Sequence, residues 1–202
     1  HFMMGGQLFA GLKIHNFIMD YKKAFVTPFF EIEKSVKNFD NNSPHYRIKS
    51  SDSVICCLID EEDKMILVSQ LRPNLGYETL EFPAGGIDKN ESPIQAISRE
   101  VREETGMICD FKELGSYRLL LNRTVNQEHL FIGLVKGRLK EHIENSIKVK
   151  VILRKDFLTL IENRKFEQLA ALGIIQLINL KFNINFLYDN NIVNKIWENY
   201  ER

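Results

Sequence analysis

The stretch at residues 85–107, GGIDKNESPIQAISREVREETGM, constrains this chain more than any other. Glu100, Glu103 and Glu104 follow one another at steps of three and one, so a helix crowds their carboxylates onto one flank within a single turn. Such crowding is unfavourable by itself: like charges one turn apart cost about 0.2–0.5 kcal/mol in an exposed helix, and more when screened from water. Something positive is expected among them. A hard divalent cation such as Mg²⁺ or Mn²⁺ takes carboxylate oxygens in this way and keeps waters or substrate phosphate oxygens in its other positions. The stretch therefore reads as a metal-dependent catalytic site.

The helix carries its own boundaries. Ser92-Pro93-Ile94-Gln95 offers a capping hydroxyl, a proline at the first helical position and a glutamine at the third, the pattern of a capping box. Gly106 supplies the C-terminal cap. Ile94, Ile97 and Val101 fall on one side and are expected to face a sheet, with Glu100 and Glu104 bordering that stripe and Glu103 further round. Arg99 and Glu103, at i,i+4, can pair. Taken alone, REVREE would read as a solvated face laced with ion pairs. What sets it apart is the spacing of the residues around it.

With 202 residues, 44% of them apolar and 27% charged, the chain can bury a real core in one domain of ordinary size. No run approaches the roughly 18 apolar residues that cross a bilayer, and no membrane partner is expected. The 27 acidic residues balance 27 basic ones, which leaves no global positive field for a polynucleotide. Small-molecule partners are expected, and long nucleic acid is not. Cys56, Cys57 and Cys109 are an odd number, and the first two are neighbours in an apolar run, pointing to opposite faces of a sheet. They read as buried free thiols with no C-x-x-C or H-x3-H zinc spacing. With no secretory leader evident, a reducing, cytoplasmic compartment is expected. The opening HFMMGG begins with His1 and is set aside as an expected cloning remnant.

Taken in order, residues 8–27 have too weak a periodicity to define an element, with Phe9, Leu12, Ile14, Phe17 and Ile18 scattered among polar groups. FFEIEKSV at 29–36 alternates as a half-buried strand does, NFDNNSP at 38–44 is a turn-rich break, and HYRIKS at 45–50 completes an N-terminal hairpin. SVICCLI at 53–59 and MILVSQLR at 65–72 predict two buried central strands. TLEFPAGG at 79–86 predicts a strand ending just before the acidic helix. Residues 109–121 and 128–137 predict strands around the polar loop NRTVNQ, which is expected to face the ligand. IKVKVIL at 147–153 alternates and should have one wet face. DFLTLIENR and FEQLAALGIIQLINLKF predict helices, the second largely buried, and IVNKIWENYER a short terminal helix. His129, on an alternating strand, reads as a packed histidine.

Gly85, Glu91 and the run Arg99-Glu100-Val101-Arg102-Glu103-Glu104-Thr105-Gly106-Met107 fill every fixed position of G-x5-E-x7-R-E-U-x-E-E-x-G-U, the Nudix box. On these residues the chain resembles the Nudix hydrolase superfamily. The resemblance implies an α/β fold, an α/β/α sandwich with a mixed β-sheet, carrying an N-terminal β-hairpin extension. Residues 1–50 would form the extension and residues 51–202 the hydrolase domain. It further implies an enzyme that hydrolyses a nucleoside diphosphate linked to another moiety. The preceding segment, VSQLRPNLGYETLEFPAGG, resembles the Q-x-R and E-x-P-A-G pattern of ADP-ribose pyrophosphatases and related nucleotide-sugar diphosphatases. Members of that branch are often homodimers that complete each other's pocket.

Carried over position by position, the resemblance implies that Glu100 and Glu104 ligate Mg²⁺ or Mn²⁺ together with the carbonyl of Ala84. Glu103 would be a further ligand or the base, Arg99 would hold the helix glutamates, and Glu91 would bond the loop backbone. Arg72 and Glu81 would contact substrate, Arg72 offering a donor fork for phosphate or a stacking face for a base; the plainer reading of both is structural salt bridging. ADP-ribose hydrolases usually place a proline and an S-P-G segment after the box, where this chain has Leu120-Leu121-Asn122-Arg123-Thr124-Val125-Asn126. Arg123 is the candidate phosphate reader there, and Glu128 a candidate to activate water. The expected reaction converts ADP-ribose to AMP and ribose 5-phosphate. Alternatives are another nucleotide sugar, a dinucleotide, or a non-catalytic nucleotide-binding regulator; intact box glutamates favour the enzyme.

Overall fold

Val54, Cys56 and Leu58 alternate with Ile55, Cys57 and Ile59 along β4 (Ser53–Ile59), and all six are fully buried. A strand buried on both faces needs a layer on each side. The computed structural model describes residues 19–40, 43–139 and 146–198 and supplies both layers. HFMMGG, the scattered apolar residues up to Ile18 and the end of the terminal helix lie outside the described residues. β1 (Tyr21–Val26), β2 (Glu31–Asp40) and β3 (Ser43–Lys49) make a small antiparallel sheet. The large sheet takes β4, β5 (Met65–Arg72), β6 (Tyr77–Glu81), β7 (Ala84–Gly86), β8 (Met107–Tyr117), β9 (Glu128–Arg138) and β10 (Lys148–Ile152). The helices are α1 (Pro93–Thr105), α2 (Arg154–Glu162), α3 (Leu169–Phe182) and α4 (Ile192–Trp197).

The main path of the large sheet runs β10-β5-β4-β9-β8, with β4 and β9 parallel and the other pairs antiparallel. Val54, Cys56 and Leu58 pack with Ile97 and Val101 of α1. Ile55, Cys57 and Ile59 pack with Phe157 of α2 and Ile174 and Ile178 of α3. The fold is thus the expected α/β/α sandwich, and Cys56 and Cys57 do face opposite layers. Burial raises both thiols well above the ordinary range and pushes Cys109 up to about 12, so all three are poor nucleophiles.

The sheet opens beside α1. β4 pairs with β5 only through Leu58 and Ile59; its other end, Ser53–Ile55, pairs with β7, while β5 continues along β6. The single strand expected over 79–86 is therefore two. The chain changes partner at Phe82-Pro83, where proline has no N–H to offer a ladder and its carbonyl instead accepts from Cys56 N at 3.0 Å.

Other departures have physical causes. β1 had no readable alternation because five of its six residues are exposed. β2 runs through much of the expected break to Asp40 and β3 starts at Ser43, while residues 41–42 lie outside the described residues. β8 stops at Tyr117, and Leu119, Leu120 and Leu121 are exposed in the connection that follows it. α3 starts at Leu169 and buries one face, leaving Leu169 and Leu180 exposed, so its apolar character overstated its burial. Ile94 is 47% exposed. It shares the angular sector of Val101, but lies in the first turn, ahead of the residues that meet the sheet. His129 is half-buried and bonded through Nδ1 to Ser116 Oγ at 2.8 Å.

Candidate active site

Both arms of the capping box at Ser92 and Gln95 form, and Gly106 takes the left-handed conformation at φ 69° with its N–H on Arg102 O. These caps fix the helical frame of α1. They leave Arg99, Glu100, Glu103 and Glu104 on the side of β7. Glu104 is buried, and its Oε2 accepts from Ala84 N at 3.2 Å. Beside it, a Cβ on Gly85 would stand 2.0 Å from the Glu100 carboxyl. The carboxylate of Glu100 therefore occupies the space any side chain at 85 would need.

Arg99 ties the acids together. Its Nε and Nη2 donate to Glu91 at 3.0 and 2.9 Å, its Nη1 to Glu100 at 2.7 Å and Glu103 at 3.2 Å, and its Nη2 also to Gly86 O at 2.9 Å. The Glu91 bond, chiefly, raises the already high Arg99 pKa against the effect of burial, and reciprocally Arg99 holds Glu91 below the usual carboxylate range. Glu91 also accepts from Asp88 N at 3.1 Å, closing the loop between β7 and α1.

Arg72 and Glu81 face each other. Arg72 Nε and Nη2 donate to the two Glu81 oxygens at 2.7 and 2.5 Å, and Thr79 Oγ1 adds a bond at 2.6 Å. Burial works to raise Glu81's pKa, but the Arg72 and Thr79 bonds and the Arg72 charge outweigh it and hold it low. The salt-bridge reading of this pair is thus present as geometry, and it leaves the planar face of the guanidinium for stacking. Arg72 also feels the Glu104 charge, which puts the pair beside the acidic face of α1.

Glu128 enters from the opposite side. Across the ladders, Gly86 stands opposite Ser53 and Ser53 opposite Glu128, two strand spacings or about 9–10 Å. Ser53 Oγ reaches Glu128 Oε1 at 3.5 Å, while Glu128 Oε2 is buried with no hydrogen-bond partner among the described residues. Burial raises its pKa despite the Ser53 bond. The expected ligand loop is anchored elsewhere: Arg123 O accepts from Ile48 N at 2.7 Å, Thr124 bridges to Ile48, and the Arg123 side chain is exposed with a 3.4 Å bond to Asn122 O. No bond joins the Arg123 side chain to the box carboxylates among the described residues.

Two contributors were not anticipated. Asp52 accepts from Ile87 N through its carbonyl at 2.9 Å and from Gln127 N through Oδ1 at 2.7 Å, linking the box loop to the loop before β9. Gln168 Oε1 accepts from Phe82 N at 2.8 Å, across 86 residues of sequence. Neither sits in a motif, so only the fold could bring them in.

Glu100, Glu103 and Glu104 offer carboxylate oxygens from one helix, a donor chemistry that suits a hard divalent cation. Among the described residues no three acidic, histidine or cysteine side chains stand ready as a coordination cluster; Arg99 Nη1 occupies Glu100 and Glu103 instead.

The NUDIX domain family profile matches residues 49–169, and the chain belongs to that family. It is a Nudix hydrolase, related to ADP-ribose and ADP-sugar pyrophosphatases. The ADP-ribose pyrophosphatase of Bacillus subtilis (strain 168) is 27% identical over 139 residues, 66% of this chain and 75% of that protein. The ADP-sugar pyrophosphatase of Mus musculus is 57% identical over 42 residues, only 21% of this chain and 19% of that protein. A crystal structure of an ADP compounds hydrolase superposes with a TM-score of 0.66 at 16% identity, covering 81% of this chain and 92% of that one, a likeness of fold. No described helix is long and apolar enough to cross a membrane.

Proposed function

We propose that the protein hydrolyses the pyrophosphate of a nucleoside diphosphate linked to another moiety, with ADP-ribose the first candidate, giving AMP and ribose 5-phosphate. The observation that carries this reading is the seating of the Glu100 carboxylate on Gly85 beside buried Glu104. With this packing any side chain at 85 would displace the Glu100 carboxylate, and the acids are gathered where a cation would offset them. When bound to Glu100, Glu103, Glu104 and the Ala84 carbonyl, Mg²⁺ or Mn²⁺ would neutralise phosphate charge and polarise the attacking water. Arg99 keeps Glu100 and Glu103 oriented. Glu128, or Glu103, takes the proton of the water as its oxygen bonds to phosphorus and the bridging P–O bond breaks. Arg72 presents its face to the base, Glu81 fixes the guanidinium plane, and Arg123 stands by for an outer phosphate. Residues 51–202 form the hydrolase domain on this reading, and residues 1–50 its extension. The similarity to an ADP-ribose pyrophosphatase and an ADP-sugar pyrophosphatase supports the substrate class.

The deciding experiment incubates the protein with Mg²⁺ or Mn²⁺ and ADP-ribose, other nucleotide sugars, dinucleoside polyphosphates, NADH and nucleoside triphosphates, identifying the products. Release of AMP and ribose 5-phosphate is expected. Binding of ADP-ribose without AMP at any metal concentration would instead establish a non-catalytic nucleotide-binding module.

A homodimer fits the N-terminal sheet, where Phe25, Ile32 and Ile48 stand in register on one face and Phe25 is 58% exposed. Sedimentation should show a dimer; a monomer at micromolar concentration refutes it. A reducing, cytoplasmic setting fits the free thiols, of which Cys56 and Cys57 are buried and Cys109 is only half-buried.

The raised pKa of Glu128 gives a pH test. A base must be ionised, so kcat should fall as pH drops through a value above the ordinary carboxylate range near ~4.3. In Glu128→Gln that acid limb should shift or vanish, with a loss of about 10²-fold or more in kcat at neutral pH. An unchanged profile would assign the base elsewhere. The same shift makes a stability statement: the protonated form is favoured in the folded state. The stabilisation is therefore full below the unfolded pKa and lost as pH rises through the folded one.

A further inference from the structure

Gly85, against which the Glu100 carboxylate rests, belongs to a very short strand. β7 has three residues, paired to the sheet through β4 at Ile55, Val54 and Ser53. The last bond on that side runs from Ile87 N to Asp52 O at 2.9 Å. Asp52 stands just ahead of β4, where the ladder would fray first, since the ends of a hydrogen-bonded element open most readily. Arg99 Nη2 also grips the loop, at Gly86 O, but Arg99 is bonded to Glu91, Glu100 and Glu103. Arg99 thus joins the loop to the acids, and β4 joins the loop to the sheet.

The Asp52 side chain closes the end of β4. Its Oδ1 accepts from Gln127 N at 2.7 Å, while Ser53 N donates to Gln127 O at 2.9 Å. The start of β4 is therefore clasped twice to the residue ahead of β9. With its carbonyl turned to the box loop and its carboxylate to Gln127, Asp52 spans both neighbours of β4. The other oxygen, Oδ2, lies 4.0 Å from His129 Nε2, beyond hydrogen-bond reach. Oδ1 carries the clasp, and a charged acceptor makes it a strong one.

We propose that Asp52 is a positioning residue for the metal-binding acids. Through Gln127 it fixes the end of β4, and through its own carbonyl it keeps the box loop where Gly85 seats Glu100. The inference rests on the hydrolase reading above and adds to it a residue outside the motif. A carboxylate that only ended a strand would act on stability alone. A positioning one acts on metal affinity in a protein that stays folded.

The test compares the wild-type protein with Asp52→Ala and Asp52→Asn. Asparagine keeps an oxygen for Gln127 N and removes the charge, so it separates geometry from electrostatics. Mn²⁺ is titrated into each metal-free protein by calorimetry, and amide hydrogen exchange is followed on the same samples. In Asp52→Ala the Mn²⁺ Kd should rise about tenfold, as for loss of an outer partner that orients ligands. Exchange at Ile87 and Gln127 should quicken about tenfold or more while amides deep in β4 and β9 keep their protection. The Mn²⁺ concentration for half-maximal turnover of ADP-ribose should rise in step, with KM at saturating metal within about twofold. Asp52→Asn should restore all of these. Unchanged Mn²⁺ affinity in Asp52→Ala, an asparagine variant as weak as the alanine one, or a loss of affinity accompanied by loss of core protection would each overturn the proposal. Should the wild-type protein bind Mn²⁺ but not hydrolyse ADP-ribose, the assignment of that substrate fails, while the titration and the exchange still decide the role of Asp52. Absence of Mn²⁺ binding by the wild-type protein would overturn both.

Discussion

Glu104→Gln is expected to lower kcat at least about 100-fold with the fold intact, the size of effect seen when one electrostatic contact to a developing charge is removed. Glutamine has nearly the shape of glutamate and keeps a carbonyl oxygen for the bond from Ala84 N, now 3.2 Å. The buried position, 4% exposed, therefore stays filled and its hydrogen bond stays made. What disappears is a negative charge beside β7. Urea unfolding should shift little, while the Mg²⁺ or Mn²⁺ concentration giving half-maximal activity should rise. Near-normal turnover at ordinary metal concentrations would remove Glu104 from the proposed ligand set.

Gly85→Ala should be almost as damaging, by a different route. The added Cβ would fall 2.0 Å from the Glu100 carboxyl, but that carboxyl is the end of a flexible side chain, so the fold can accommodate the methyl by turning Glu100 away. Turning it away separates Glu100 from Arg99 Nη1, a 2.7 Å bond, and from the backbone beside Ala84. Stability should change by about 1 kcal/mol or less, whereas metal affinity or kcat should drop about 10–100-fold, as for loss of a residue that orients ligands. Glu100→Ala together with Gly85→Ala should be no worse than Glu100→Ala alone, since both act through one carboxylate. Additive losses in the double variant would show that Gly85 acts by some other means than seating Glu100.

Much of this was legible from local rules. The caps at Ser92 and Gly106 were readable because capping chemistry is confined to a few neighbouring residues, and they formed as expected. β4 and β5 were readable because a continuous apolar run has few ways to be buried. The two-strand outcome for residues 79–86 was not, because it turns on which strand each half meets. The same holds for Ile94, whose exposure depends on where the helix starts relative to the sheet. Arg123 is a sharper case: a polar loop in sequence gives no sign that its backbone will zip onto Ile48.

By itself the sequence determined the acidic helix, its caps, the glycine at its approach and the family to which these belong, since each rests on spacing along one continuous segment. Only the tertiary structure decided that Glu100 lies against Gly85, that Arg72 is engaged by Glu81, and that Glu128 stands two ladders from Gly86 with one oxygen unpaired among the described residues. It alone brought Asp52 against the box loop and Gln168 against Phe82. Those relations join residues far apart in the chain through strand pairing and packing, and no local pattern encodes them.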